Sequence, residues 1–275
     1  MFILLAKQRT GTHFLRGVLS THPQIVITNE VFKVSAQKFL LGRTKVPPYS
    51  FYRQQRIEND LTNCLPARQP ELVKEYFRML HNVAEENESE IVVDIKYNSL
   101  HYAEGEWSSP SGVPQMLNSG FGYIHLVRQD LIRTAVSDFR SRISGKYKVR
   151  AGEKVDKVKF SVDPKELINR LYTIKEDLKL VEKWIRCQKL RCLTVLFEEF
   201  FIDDVGGELD NERFYEILDF MRVPRSNWKP IAMTQKLSPE NIADEVSNWS
   251  ELGEHLAETP FFVNYQRLSG SDRSV

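Results

Sequence analysis

The stretch Phe2–His22, FILLAKQRTGTHFLRGVLSTH, decides how the chain is read. Five apolar or small residues, Phe2 to Ala6, run straight into Lys7, Gln8, Arg9, Thr10, Gly11 and Thr12. A continuous apolar run of this length, followed by a turn, predicts a strand buried on both faces. Phe14, Leu15, Val18 and Leu19 then recur at three- and four-residue spacing, which predicts a helix over Thr12–Ser20. A strand, a short basic turn with a glycine and a helix form a layout suited to an anion. The unpaired N–H groups of the helix start point into the turn, and Lys7 and Arg9 add charge. The Gly-x-x-x-x-Gly-Lys-Ser/Thr pattern that cradles a nucleoside triphosphate is absent from this turn. A plain strand-to-helix turn with solvated basic side chains would carry the same residues.

Outward from this segment, strands and helices alternate. "PQIVITNEVF" holds a second short strand, Ile25–Ile27. Leu41–Gln69, broken by Pro47, Pro48 and Pro66, reads as loop with short helices. Pro70 opens a helix carrying Leu72, Val73, Phe77, Leu80 and Val83. "EIVVDIKYN" is a buried strand by its β-branched run. "EGEWSSPSGVPQMLNSG" is loop with a helical turn near Gln115. "GYIHLVRQDLIRTAVSDFRSRI" is again strand then helix, with Leu131, Ala135 and Phe139 on one buried line and Ile132, Val136 and Ile143 on the next. A basic stretch, Ser144–Lys159, is read as a lid over the site. From Asp163 a long helix follows. Pro164 sits in its first turn, Glu166 completes a capping box, and Leu167, Leu171, Ile174, Leu178, Val181 and Ile185 form its stripe. The stripe suits packing on the chain's own sheet; a coiled-coil seam, and with it a homo-oligomer, stays open. "RCLTVLFEEF" is a strand, Asn211–Met221 and Asp244–Leu256 are helices, and Ser269–Val275 is a frayed tail. The pattern predicts an α/β fold with a central, mostly parallel sheet flanked by helices in three layers, as one domain over 1–268 with a tail over 269–275.

Composition narrows the function classes. The chain has 275 residues and a formal net charge of +1, so no global field draws it to nucleic acid or a membrane surface. Three widely spaced cysteines, Cys64, Cys187 and Cys192, suggest neither a disulfide framework nor a zinc cluster, and no metal is expected. No apolar run approaches a membrane span, and Phe2–Ala6 is too short for a signal-peptide core, so a cytoplasmic protein is expected.

A second constellation lies at Arg128–Ser137. Arg128 follows the strand "YIHLV", and Arg133 and Ser137, four residues apart, share one helix face. Two guanidinium forks and a hydroxyl can hold one phosphate. A solvated basic helix face would read the same way. Together with Lys7–Thr12 it suggests one ligand carrying phosphate-like groups at both ends.

At these residues the chain resembles the sulfotransferases that use 3′-phosphoadenosine 5′-phosphosulfate (PAPS), in particular bacterial carbohydrate and Nod-factor-type members. "KQRTGTHFL" resembles their 5′-phosphosulfate loop and "VRQDLIRTAVS" their 3′-phosphate motif. Asn29-Glu30-Val31-Phe32 stands where the family often has Gly-Glu-Pro-Phe. "DIKYNSL" resembles a strand ending in Lys, "VLFEEFFID" the Tyr-Glu-Asp-Leu stretch, and "ILDFMRVP" the helix after it. "TQKLSPENIADEVSNWSEL" resembles the C-terminal Lys…Pro…Ile-x-Asn-Tyr-x-Glu segment. The match runs in order from residue 2 to about 265. It departs from the family at Arg9-Thr10-Gly11-Thr12, at the nine-residue interval from Arg128 to Ser137, and at Asn98, where cytosolic animal-type members have a catalytic His.

The resemblance implies a P-loop-containing fold and sulfuryl transfer from PAPS to a hydroxyl or amine. The acceptor would be a carbohydrate, a lipid-linked sugar or a small natural product. It assigns co-substrate binding to Lys7, Gln8, Arg9, Thr10, Gly11, Thr12, His13, Arg128, Arg133, Ser137 and Lys236. It assigns catalysis to Arg9, Lys96 and a base. Glu30 is the candidate base, with His101 as its rival; His13 lines the sulfuryl pocket or merely starts the helix. Asp94 is read as a structural or rim carboxylate. The rival classes are an atypical P-loop kinase or NTPase, and a non-catalytic nucleotide-binding protein of the same fold.

Overall fold

The computed structural model describes residues 1–32, 39–41, 44–97, 117, 120–145, 149–150, 158–200, 209, 211–225, 227–235 and 241–270. Five strands form the central sheet: β1 (Phe2–Ala6), β2 (Ile25–Glu30), β5 (Glu90–Lys96), β6 (Gly122–Val127) and β8 (Cys192–Leu196); β7 (Val149–Arg150) pairs outside it. Their order is β2-β5-β1-β6-β8, and every pairing is parallel. The fold is therefore α/β, with an all-parallel sheet flanked by helices. β1 lies at the centre, with Leu5 in register with Ile95 on one side and His125 on the other. All five of its residues are buried, which accounts for the uninterrupted apolar run.

The strand order places a switch point beside β1. The chain leaves β1 through α1 (Thr12–Leu19) towards β2 on one side. It leaves β6 through α4 (Leu131–Ser144) towards β8 on the other. Connections that depart in opposite directions open a crevice outside the carboxyl ends of the two strands. The turns that line this crevice are Lys7–Gly11 and Arg128–Asp130.

Side-chain alternation sorts the core. Ile3, Leu5, Val93, Ile95 and Tyr123 face α3 (Gln69–Glu86) and the end of α5 (Pro164–Cys187). Leu4, Ala6, Val92, Ile124 and Leu126 face α1 and α6 (Glu212–Met221). A third cluster joins α4, the first half of α5 and α7 (Trp249–Leu256). The α5 stripe thus packs within the chain: Leu167, Leu171 and Ile174 in the third cluster, Val181 against the sheet. No helix among the described residues is long and apolar enough to cross a membrane.

Several local expectations change. The segment Leu41–Gln69, read as loop with short helices, holds the eleven-residue helix α2 (Tyr49–Asn59) and two 3₁₀ turns, Leu61–Cys64 and Pro66–Arg68, and adds a strand that was not expected, β4 (Thr44–Val46), antiparallel to β3 (Phe39–Leu41). Pro48 does not break that helix; it precedes its first residue, where a missing N–H costs nothing. β2 runs on to Glu30, with an irregularity between Ile27 and Glu30. The helix read over Asp244–Leu256 divides into a 3₁₀ turn, Ile242–Asp244, and α7. The break falls where Glu245 O accepts from Phe160 N and Ser247 N donates to Phe160 O (2.9 and 2.8 Å). A further helix, α8 (Phe262–Leu268), follows.

The α5 cap is half of the expected box. Asp163 accepts from Lys165 N at 2.8 Å, but Glu166 pairs with Arg142 at 3.2 Å instead. On α4, Ile143 is exposed while Ser137, Arg140 and Ser141 are buried. This helix is covered on its polar side too, by the turn after β1 and by the Glu245 segment. Of the lid segment Ser144–Lys159, residues 146–148 and 151–157 lie outside the described residues, as does the turn read near Gln115.

Candidate functional site

The turn after β1 is built by two residues in the left-handed region, Arg9 (φ 69°) and Gly11 (φ 87°). Thr10 Oγ1 donates to Lys7 O at 2.7 Å and closes the turn between them. Gly11 caps α1 without a side chain. A Cβ there would meet Cε2 of Phe197 at 2.0 Å, so only glycine fits both the conformation and the space. A left-handed arginine costs roughly 1–2 kcal/mol, and here it redirects the side chain across the crevice. Arg9 Nε and Nη2 donate to Ser137 Oγ at 3.1 and 2.9 Å.

Arg128 approaches from the next strand. Its Nη1 donates to Arg9 O at 3.2 Å, and its guanidinium lies 4.9 Å above the Phe197 ring. It is 8% exposed, and its Nε is buried without a hydrogen-bond partner. Burial is the main cause that pushes its pKa down to about 10, with the nearby Arg133 and Arg9 charges adding to it; Asp130 and Glu198 oppose the shift. A cation this short of counter-charge favours an anion in the crevice. Ser137 also accepts from Arg140 Nη2 at 3.3 Å. Glu198 pins the turn after β6, accepting from Gln129 N at 3.2 Å and Asp130 N at 3.1 Å. Asp130 in turn caps α4 by accepting from Arg133 N at 2.9 Å.

The sequence separates two anion cradles; the fold brings Arg9, Arg128 and Ser137 to one point. Arg133 pairs with Asp130 at 3.4 Å. Lys7 is buried and forms an ion pair with Asp177 of α5. Gln8 and His13 are half-buried beside the turn. Thr12 accepts from Lys96 Nζ at 2.7 Å. Lys96, 2% exposed, also pairs with Asp94 Oδ1 at 2.5 Å, and Asp94 Oδ2 takes Arg16 Nη1 at 3.0 Å. Asp94 is fully buried, so it is a structural carboxylate and not a rim one. Arg16 also donates to Asn29, which ties α1 to the end of β2. Glu30, half-buried at that end, stands in register with Asp94. Lys236, Asn98 and His101 lie outside the described residues.

Five residues of this assembly escape a reading of the sequence: Arg16, Asp177, Arg140, Phe197 and Glu245. Two carry a local signal. Arg16 follows Thr12 by four residues on one helix face, and Asp94 and Lys96 alternate on one strand face, so the two pairs can meet. Arg140 follows Ser137 by three. Nothing near Asp177 or Glu245 in the sequence announces its partner. Cys64 and Cys187 are exposed and Cys192 is half-buried, all as free thiols. Among the described residues, no three His, Cys, Asp or Glu side chains form a group that could hold a metal ion.

No family model matches the chain. No curated protein matches it in sequence. Among solved structures it is similar to a sulfotransferase from Alicyclobacillus acidocaldarius, with 16% identity, 100% of this chain and 96% of that chain covered, and a TM-score of 0.47.

Proposed function

We propose that the chain is a sulfotransferase that moves a sulfuryl group from PAPS to a hydroxyl or amine of a carbohydrate, lipid-linked sugar or small natural product. The observation that carries this reading is the meeting of Arg9, Arg128 and Ser137 at the switch point, 2.9–3.2 Å from one another's bonded atoms. The buried Nε of Arg128 lacks a hydrogen-bond partner there. The ordered family resemblance along the sequence supports the same reading.

PAPS would occupy the crevice as substrate, with the turn Lys7–His13 on its phosphosulfate and Arg128, Arg133 and Ser137 on its 3′-phosphate; Lys236 is proposed as a further contact. The acceptor oxygen or nitrogen forms the new bond to sulfur. The bond from sulfur to the bridging phosphate oxygen breaks, and its electron pair leaves with adenosine 3′,5′-bisphosphate. Glu30 takes the acceptor proton. Arg9, Lys96 and the start of α1 counter charge on the leaving oxygens, as in other transfers governed by positioning and electrostatics.

The test is a melting comparison. Adenosine 3′,5′-bisphosphate at about 100 times its Kd should stabilise the fold by about 2.7 kcal/mol. A larger shift with ATP–Mg²⁺ would favour the kinase reading. For the base, Glu30→Gln should keep bisphosphate affinity and lose on the order of 10²–10⁴-fold in turnover. Near-normal turnover in this variant, with a dead His101→Ala, would move the role to the histidine.

A further inference from the structure

Asp177 is a charge on an apolar helix face. It follows Ile174 by three residues and precedes Val181 by four, so it lies on the face of the α5 stripe. Ile174 packs with α4 and α7, and Val181 packs on the central sheet. Asp177 thus falls where α5 crosses from one cluster to the other. There it forms an ion pair with Lys7, the first residue after β1. Lys7 is 6% exposed, and the Asp177 side chain is 34% exposed.

Lys7 is also the root of the anion turn. Its carbonyl accepts from Thr10 Oγ1 at 2.7 Å, and Arg9, two residues on, stands at φ 69°. A non-glycine residue in the left-handed region persists only where its surroundings fix it. At the far end of the turn, Phe197 packs on Gly11. At the near end the fixed point is the Lys7–Asp177 pair. Ile3 and Leu5 face α3 and the end of α5, and Lys7 continues that alternation. Its ammonium is therefore committed to α5, behind the turn, while Arg9 reaches across the crevice to Ser137. Stability alone does not call for such a pair, since apolar residues of similar size are often as stable in its place. What the pair adds is direction, because a charge-assisted hydrogen bond is short and fixes both of its ends.

We propose that Asp177 is a positioning residue of the anion turn: through Lys7 it anchors the turn to α5 and keeps Arg9 aimed across the crevice. The inference rests on the sulfotransferase reading and deepens it: Lys7 serves the phosphosulfate end through the turn that it anchors, not through its ammonium. The plain alternatives are a tie that only stabilises the fold, and a direct contact from the Lys7 ammonium to the anion.

Calorimetric affinities for adenosine 3′,5′-bisphosphate, adenosine 3′-phosphate and adenosine 5′-phosphate, measured on the full chain, separate the three. The bisphosphate-to-3′-phosphate ratio reads the turn, and the bisphosphate-to-5′-phosphate ratio reads the Arg128 end. Asp177→Ala leaves Lys7 its charge but takes its anchor. It should lower the first ratio about tenfold or more, the worth of a charged hydrogen bond, and the second ratio far less. Asp177→Asn, which keeps an acceptor for Lys7, should fall between. K7M/D177L, with an apolar pair in place of the charged one, should melt near the native chain and still show the lower first ratio. A native first ratio in a folded K7M/D177L chain reduces the pair to a tie and overturns the proposal. A first ratio that holds or rises in Asp177→Ala overturns it too, as does an equal fall in both ratios. A native chain that binds the bisphosphate no better than either monophosphate overturns the sulfotransferase reading itself.

Discussion

At the scale of single residues, the turn after β1 depends on one missing methyl group. Gly11 adopts φ 87°, and its Cα faces the ring of Phe197, which also lies beneath Arg128. An aromatic ring wedged between a backbone and a guanidinium cannot swing aside as a flexible chain end would. Gly11→Ala should therefore lose about 2 kcal/mol or more from strain and overpacking together. It should also displace Arg128. Thermal unfolding checks the first effect and bisphosphate titration the second; an unchanged melting temperature would mean that Phe197 yields freely. Ser137→Ala removes the hydroxyl that gathers Arg9 and Arg140. Hydrogen bonds to charged groups are worth roughly 1.5–3 kcal/mol, so bisphosphate affinity should fall by about 10- to 100-fold. A titration that returns the native affinity would place the phosphate elsewhere.

At the scale of elements, α1 and β5 are joined by charge. Asp94, 0% exposed, holds Lys96 on its own strand and Arg16 on α1. Taking one partner from a buried pair costs roughly 3–5 kcal/mol, because the other charge stays behind in a dry site. Asp94→Asn should show that loss in a denaturant midpoint. The swap D94L/K96M, which removes two of the three charges and leaves Arg16 to Asn29, should recover part of it. The same double variant lacks the proposed catalytic lysine, so it should be folded and inactive in sulfuryl transfer. Recovery of stability together with activity would remove Lys96 from the mechanism.

The whole molecule has an acid limit written into its core. His125, 1% exposed on β6, meets the Tyr97 hydroxyl at 2.5 Å. Burial pushes the imidazole pKa down to about 4 from 6.5. The folded chain therefore keeps it neutral through a range in which the unfolded chain binds a proton. Stability rises with pH wherever the unfolded state holds more protons. It is thus fully present above pH 6.5 and is lost as pH falls towards 4, by roughly 2–3 kcal/mol over that window at 1.36 kcal/mol per unit. Denaturant titrations at pH 6.5 and 4.5 should show a loss that His125→Gln reduces by about this amount. Equal losses in both chains would assign the acid sensitivity to other groups.

What the sequence determines by itself is whatever has a local period or a local cap. The apolar run Phe2–Ala6 can only be a strand covered on both faces, because no polar residue interrupts it. The α5 stripe and the cap at Asp163 mark a long helix, because 3.6-residue spacing leaves no other surface for those side chains. Arg9 and Arg128 read as candidate anion ligands because each follows the end of a strand, and Ser137 because it shares a helix face with Arg133. The places where reading failed are those where a neighbour distant in sequence decided. The helix expected from Asp244 breaks because Phe160 takes its backbone hydrogen bonds. Glu166 leaves its capping box for Arg142. Above all, the partners of buried charge were decided by tertiary structure alone. Arg9 meets Ser137 across 128 residues, and Lys7 meets Asp177 across 170. A charged side chain is drawn to any opposite charge or acceptor that the fold brings near. The sequence states only that the charge is there, while burial, by excluding water, makes its pairing obligatory.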